Sequence, residues 1–494
     1  MKQKFYLSLI IIVFLLFCYS IFADWEPIIT GFDYQQFTLP DPNNVYVARM
    51  DRNNTDCVID SCIGQGYFHI IDWPAGRARV SQMATMYDEA INYWGEGPGH
   101  NYWGTRNDVV VAINGDGFDG LAQFGVPTGG QMISGWYAKR FGEFSTPGMA
   151  YTLNRYVFMG GYINHPSNKN LVTYPTLGQN QTINGINIER ESDKLIIYTP
   201  HYNTNTQTDN SGVEVLVELS TPLLIKPVPN YVSGYVKEVR INQGSTIIPF
   251  DHIVLSATGS ASTKLSSLNV GDEVRVSMEL NHYEGDPGDY TKTYSCIGYM
   301  TFRFLIDGVI PSSTHPNWND HEPRTAVAYN NDYIYFLVVD GRTSISVGMT
   351  MPEIGNFCIT YLSATDGINQ DGGGSSAIWV NGQIKNSPSD GAERYVANGL
   401  MMVKVLAKQQ TTTFSSGQGV KTLTSTQIRQ GPGTNYKALA TIPVDTNGQI
   451  VSHSLNGILA KGQNWWKCQF GSNTGWVQEN QLITTMSAEI WKEY

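Results

Sequence analysis

Positive charge is scarce in this chain: 32 lysines and arginines stand against 43 aspartates and glutamates, for a formal net charge of -11. Binding a polyanion requires a basic face, so nucleic acid is excluded as the main partner, although a local basic pocket is not. Charged residues make up only 15% of the chain, with 12% aromatic and 49 glycines, a balance that favours sheets and turns over long helices. Cysteine is scarce too. Cys18 falls in an N-terminal apolar run, leaving Cys57, Cys62, Cys296, Cys358 and Cys468, an odd number that implies at least one thiol without an internal partner. Cys57 and Cys62 are close enough in sequence to close a small disulfide loop in an oxidising compartment. A zinc site would need two more ligands there, and His69 alone does not supply them. No Cys–His pair with a suitable setting suggests a thiol hydrolase.

After the N-terminus no second apolar run is long enough to span a bilayer. The first 23 residues have a short basic start, an apolar run and small residues around Ala23, the pattern of a secretory leader cut after Ala23, with a retained membrane anchor as the alternative because the run is nearly long enough to span a bilayer. Removal of the leader takes Lys2 and Lys4, and no acid, from the charge balance. The expected location is secreted, periplasmic or cell-surface, with no membrane association after cleavage. Residues 24–405 read as one large α+β domain, residues 406–420 as a polar Thr/Ser/Gln/Gly linker, and residues 421–486 as a small all-β unit.

Two helices are expected within the large domain. In one, Met83, Met86, Tyr87, Ala90, Ile91 and Trp94 share a face, with a strand at Val109–Ile113 following. The other starts at Thr350, with Pro352 in its first turn and Glu353 completing a capping box. Its buried stripe is Ile354, Phe357, Cys358, Tyr361 and Leu362, which makes Cys358 a core residue. Tyr333–Asp340 and Ala377–Val380 read as neighbouring buried strands on either side of that helix.

Three loops at strand ends combine glycine with polar groups: Ile113–Gly120, Asp340–Ser344 and Asn369–Ala377. The run Gly372, Gly373, Gly374 allows backbone N–H groups to turn inward and form an anion-binding nest, with Asp371 before it and Ser375 and Ser376 after it. No Gly-Lys-Ser/Thr follows, so this is not a nucleotide P-loop. Asp116 and Asp119 lack the ligand series of a calcium loop, leaving only weak grounds for a divalent cation such as calcium. No other cofactor is expected. Arg324, Arg342 and Arg394 each stand in a turn-like segment near a strand, and guanidinium groups match phosphate oxygens bidentately.

The order of these segments resembles the phosphodiester glycosidase family. The resemblance is carried by INGDGF, by the block from HEPRTAVAY through VVDGRTS to NQDGGGSSAIWVNG, and by PSDGAERYVANGL, and it runs in order over residues 183–405. The family's Asn-Gly-Gly-Phe-Phe stands here as Asn114, Gly115, Asp116, Gly117 and Phe118, and its His-Pro-Arg-Thr gains Glu322 between His321 and Pro323. Residues 421–482 resemble a bacterial SH3 domain through TQIRQGPGTNYKALATIP and WWKCQFGSNTGWVQENQL. Trp465, Trp466, Trp476 and Tyr436 are candidates for stacking on a sugar or peptide of the cell wall.

The resemblance implies a mixed-sheet α+β catalytic domain with flanking helices, followed by an SH3-like barrel. It implies hydrolysis of a sugar-1-phosphodiester of the N-acetylglucosamine-1-phosphate type in a surface or wall glycan, to which the SH3 module targets the enzyme. The leaving group would be a phosphate monoester, stable as an anion, so the site needs positive charge and one carboxylate more than a strong general acid. On this reading Arg324 and Arg342 clamp the phosphate, and Asp371 is base or nucleophile, with Asp340 and Glu393 as further carboxylate candidates. Asn114 orients sugar or water, and Asp116, Gly372, Gly373, Gly374, Ser375 and Arg394 complete the substrate site. The alternative is a non-catalytic phosphoglycan-binding or surface polysaccharide assembly protein, which would not require a carboxylate beside the arginines.

Overall fold

The computed structural model describes residues 24–63, 78–89, 91–92, 96–97, 100–101, 105–118, 127–133, 136–139, 147–152, 154–164, 170–200, 202–220, 231–278, 281–282, 293–298, 302–406, 409–434, 436–460 and 462–485. The leader, His69, Ala90, Trp94 and Asp119 lie outside the described residues, as do the side chains of Met86 and Tyr87.

Two antiparallel sheets stacked face to face carry the centre of the molecule. The first orders its strands Glu26–Ile29, Phe32–Leu39, Asn43–Asp51, Tyr333–Val339, Arg324–Tyr329, Asp366–Asn369 and Phe302–Leu305. The second runs Gln383–Ile384, Ile378–Val380, Thr105–Asn114, Asn398–Leu406 and Cys57–Ile63, with Ile91–Asn92 added beside Thr105–Asn114. Side chains alternate across each strand, so Met50, Phe336 and Ile368 meet Val111, Ile113, Ile378 and Leu400 between the sheets. On the outer face of the first sheet, Val45, Val47 and Leu337 pack against helix Met351–Leu362. On the outer face of the second, Val58, Ala112 and Met401 meet Val80, Met83 and Ala84 of helix Val80–Glu89. The result is a helix–sheet–sheet–helix sandwich, in which strands buried on both faces read as unbroken apolar runs.

Two further sheets extend this body. One contains Gln131–Ile133, Trp136–Lys139, Pro147–Thr152, Val157–Asn164, Asn281–His282 and Thr293–Ile297, and it lends Met149, Tyr151 and Ile297 to the central core. The other, with eight strands between Asn170 and Met278, builds its own core from residues such as Val172, Ile197, Val215 and Leu255. A last antiparallel sheet, from Gly419–Thr422 to Leu482–Thr484, forms the C-terminal module.

Several expectations need correction. The chain is predominantly β, with helices confined to a small fraction, because its β-branched and aromatic alternation outweighs the few 3.6-residue stripes. Helix Met351–Leu362 forms as expected, with both capping-box bonds in place, and Ile354, Phe357, Cys358 and Leu362 are buried. The other helix ends at Glu89, and Ile91 belongs to a strand. Tyr333–Val339 and Ile378–Val380 are not neighbours: they belong to different sheets, and the chain crosses between the sheets through the glycine run. All five described cysteines are buried free thiols. Cys57 and Cys62 share one extended strand at odd spacing, so they face opposite sides of the sheet and cannot be bridged. The expected linker folds onto the C-terminal module, where Phe414 is part of the core and the Thr411 N–H donates to the Gly457 carbonyl.

The C-terminal module is fastened to the eight-stranded sheet. Trp465 and Trp476 are buried in the core that both share, Trp466 is buried in the module's own core, and the Tyr436 ring packs near Phe250. The expected stacking platform is therefore consumed by packing. At the same contact Lys467 Nζ lies 2.9 Å from Glu218 and 3.0 Å from Asp251, which also receives His252 at 2.6 Å and His453 at 3.2 Å. Burial disfavours the ionised form of Asp251, but the charges of His252 and Lys467 outweigh it and hold the carboxyl well below its usual range. Burial likewise opposes Glu218, yet Lys467 and Lys237 bring it down to about 2.

Carboxyls depressed by folding contribute stability above their unfolded range near pH 4, and that contribution disappears as pH falls toward 2. Asp251→Asn is thus expected to destabilise the protein by about 3 kcal/mol at pH 7, since it strips a buried charge from its partners. Thermal melts should show this gap narrowing at pH 3; a gap that widens with acid would contradict the assignment.

Candidate functional site

The site forms where the chain passes from the first sheet to the second. Gln370 still pairs with the first sheet, its N–H donating to the Thr325 carbonyl at 2.8 Å. One residue later the Asp371 N–H donates to the Gly115 carbonyl at 3.1 Å, on the loop that leaves strand Thr105–Asn114 of the second sheet. Asn114, fully buried, locks this crossing. Its Nδ2 donates to the Asp371 carbonyl at 2.8 Å, and its Oδ1 accepts from the Thr325 hydroxyl at 2.7 Å and the Ala377 N–H at 3.2 Å. Fully buried and bonded in this way, Asn114 positions the loop and is not exposed to a sugar or water.

The glycine run is a tight turn and not the expected anion nest. Gly373 donates to the Pro323 carbonyl, while Ser375 and Ser376 donate back to the carbonyls of Gly372 and Gly373. The Gly372 N–H goes to the Asp371 carboxylate at 3.1 Å. What the glycines provide is room. Gly373, at φ +62°, lies against the Arg342 guanidinium, and a Cβ on Gly374 would run into Arg394 and Asp390. Arg342 itself adopts a left-handed backbone, φ +66°, uncommon for a residue with a side chain. Its Nε pairs with Glu322 at 2.7 Å. Arg394 pairs with Asp390 at 2.7 Å and its Nη1 reaches the Ser375 hydroxyl at 3.5 Å.

Asp371 stands at the base of this turn. Burial raises its carboxyl above the ordinary range, opposed by the Ser375 hydroxyl, the Arg394 charge and the Gly372 N–H. Behind it Asp116 is almost wholly buried, with Oδ2 accepting from the Gly129 N–H at 3.0 Å and Oδ1 unpaired. Burial drives Asp116 well above the usual value despite Lys139, and the Asp371 charge adds to the rise. Next to Asp371, both amide atoms of buried Gln370 lack partners, as does the Ser376 hydroxyl.

The structure thus brings together Arg342, Arg394, Asp371, Gly372, Gly373, Gly374 and Ser375, with Asn114 and Asp116 beneath them. Three expected members are occupied elsewhere. Arg324 shares its strand face with Ala326 and Ala328, toward the helix layer, and its guanidinium donates to the carbonyls of Met349, Asn317 and Asp320 at 2.9, 3.2 and 2.6 Å. Asp340 is buried and accepts from Tyr46, Asn386 and Ser387, bracing one loop against another. Glu393 accepts from the Ser81 N–H and hydroxyl at 2.9 and 2.6 Å, at the start of helix Val80–Glu89. Among the described residues no group of three or more His, Cys, Asp or Glu gathers to hold a metal, and Asp116 faces an N–H and a lysine where a calcium site would place more oxygens. Glu322, Asp390, Gln370 and Lys139 were not anticipated, since each is an ordinary polar residue until the fold places it.

Residues 229–403 match the family model described as phosphodiester glycosidase. No curated protein matches the chain. Similar solved structures include a hypothetical protein from Synechocystis, at 16% identity and TM-score 0.49, covering 77% of this chain and 64% of that one. A Burkholderia pseudomallei protein described as exported gives 18% identity, TM-score 0.47 and coverage of 73% and 74%. The catalytic domain of zebrafish N-acetylglucosamine-1-phosphodiester alpha-N-acetylglucosaminidase, auto-inhibited by its pro-peptide, gives 12%, 0.36, and 76% and 84%.

Replacing Asn114 with Ala would leave the Asp371 carbonyl, the Thr325 hydroxyl and the Ala377 N–H without their partner. A loss of about 3 kcal/mol is expected by denaturant titration, from buried groups left unsatisfied. A change below about 0.5 kcal/mol would show that the crossing is held by other contacts.

Proposed function

We propose that this chain is a glycosidase that hydrolyses the C1–oxygen bond of a sugar-1-phosphodiester, of the N-acetylglucosamine-1-phosphate type, in a surface or wall glycan. The observation that supports this most directly is the placement of Arg342 and Arg394 on either side of the Gly373–Gly374 turn with Asp371 at its base. The family match over residues 229–403 agrees with it.

In this reading the guanidinium groups of Arg342 and Arg394 hold the phosphoryl oxygens, since that of Arg324 is bonded to the carbonyls of Met349, Asn317 and Asp320. Water attacks C1 as the C1–oxygen bond breaks, its proton passes to Asp371, and the bonding electrons leave with the phosphate monoester. Because that group is a stable anion, the arginines supply most of the assistance and no strong acid is needed at the leaving oxygen. Asp371, its carboxyl raised by burial and held against that rise by the Ser375 hydroxyl and the Arg394 charge, suits the role of base. Residues 1–23 would export the protein. The C-terminal module, in its resemblance to a bacterial SH3 domain, would attach it to wall or surface glycan. Since its tryptophans are buried, that contact would fall on a cavity of about 460 Å³ lined by Thr413, Phe414, Gln463, Asn464 and Glu479.

Asp371→Asn is expected to lower kcat on N-acetylglucosamine-1-phosphodiesters by roughly 10²–10⁴-fold, the range of a positioned base. Full activity in the folded variant would remove Asp371 from the mechanism. The base must be ionised, so activity falls as pH drops through its raised pKa. Arg394→Met removes a charge that lowers that pKa, so the acid limb of kcat/KM should move to higher pH. A limb that stays in place would separate Arg394 from Asp371.

A further inference from the structure

Both arginines beside the glycine turn arrive already paired. Glu322 Oε2 lies 2.7 Å from Arg342 Nε, and Asp390 Oδ2 lies 2.9 Å from Arg394 Nε and 2.7 Å from its Nη2. Both pairings rest on constrained backbone. The backbone of Glu322 is pinned by the Met349 N–H, which donates to its carbonyl, and by Gly348, where a Cβ would strike that same backbone. The Arg394–Asp390 pair is seated over Gly374, which has no space for any side chain.

We propose that Glu322 and Asp390 are specificity-determining counter-charges that make this site prefer a phosphodiester to a phosphate monoester. The inference rests on the reading of the site as a phosphodiester glycosidase. Each carboxylate takes the Nε edge of one guanidinium and offsets part of its charge, so the two arginines keep their remaining donors and a positive field suited to a singly charged group. A diester carries one negative charge, whereas the monoester released by cleavage carries about -1.5 to -2 near pH 7. The extra charge of the monoester meets two fixed carboxylates at short range, where Coulomb repulsion is strongest. The substrate is therefore held by geometry and the product is pushed out by charge.

The side chains in both pairs are between 36% and 48% exposed, so a ligand can reach them and neutral substitutions should not disturb the core. The test is calorimetric titration of the full chain with dimethyl phosphate, a diester, and with glycerol 3-phosphate, a monoester, at pH 7.5 and low salt. Glu322→Gln/Asp390→Asn is expected to tighten glycerol 3-phosphate about tenfold and dimethyl phosphate no more than about threefold, with the gap shrinking in high salt as screening requires. Equal tightening of both ligands, no tightening of either, or no binding of either ligand by wild type or variant would overturn the proposal. A thermal melt checks that the double variant is folded, and Asp390→Asn alone should give an intermediate shift. Failure to hydrolyse any sugar-1-phosphodiester would defeat the proposed activity but leave this binding ratio intact. Hydrolysis with an unchanged ratio would defeat the counter-charges alone.

Discussion

One buried amide holds the site together. Asn114 ends a strand of the second sheet, yet all three of its side-chain hydrogen bonds go to residues of the crossing segment or the first sheet. Two sheets packed only through apolar side chains could slide, since hydrophobic contact is non-directional. Directional bonds in a low-dielectric setting fix the offset instead, and the offset decides whether Asp371 lies under Arg394 or away from it. The adjoining Asp371–Gly115 backbone bond repeats the constraint one residue further on.

Charge in this molecule divides by depth. The buried ions, Arg324, Asp340, Asp251 and Lys467, each have several fixed partners, because an ion taken out of water without them would be too costly. Their bonds are already made, so they brace the fold. Arg342 and Arg394 remain about half exposed and paired with one carboxylate each, an arrangement worth little to stability. Groups that can exchange a partner are the ones suited to meeting a ligand. Asp371 lies between these extremes, and its raised carboxyl is the electrostatic sign of that position.

The sequence made the local parts legible and left the pairings hidden. The capping box at Thr350 and Glu353 and the stripe through Ile354, Phe357 and Cys358 are set by near neighbours, and they form as written. Asp371 and the glycine run stood out for the same reason. Arg324, like Arg342, precedes a threonine in a turn-like segment, but strand alternation sends its side chain to the helix face. Glu393 and Asp340 looked like free carboxylates because Ser81 and Tyr46, which occupy them, lie some three hundred residues away. Trp465 and Trp476 looked like a stacking surface because nothing local announces that a second sheet covers them. In each case a long-range contact decided the matter, and no residue near it in the chain shows which partner it will be.

The covered tryptophans change what the C-terminal module can contribute. A targeting unit on a flexible tether raises local concentration by an amount set by linker length and lets the catalytic face search a volume around the anchor. Here Phe414 folds the segment after the large domain into the module, and Lys467, Asp251 and Gln430 tie the module to the eight-stranded sheet. The distance from any ligand on the module to the Gly373–Gly374 turn is then set by packing and not by linker statistics. On the proposed reading, a chain attached through this module would act on bonds at a defined offset from its anchor. Charge at the Lys467 contact, more than length in residues 406–420, would govern its reach.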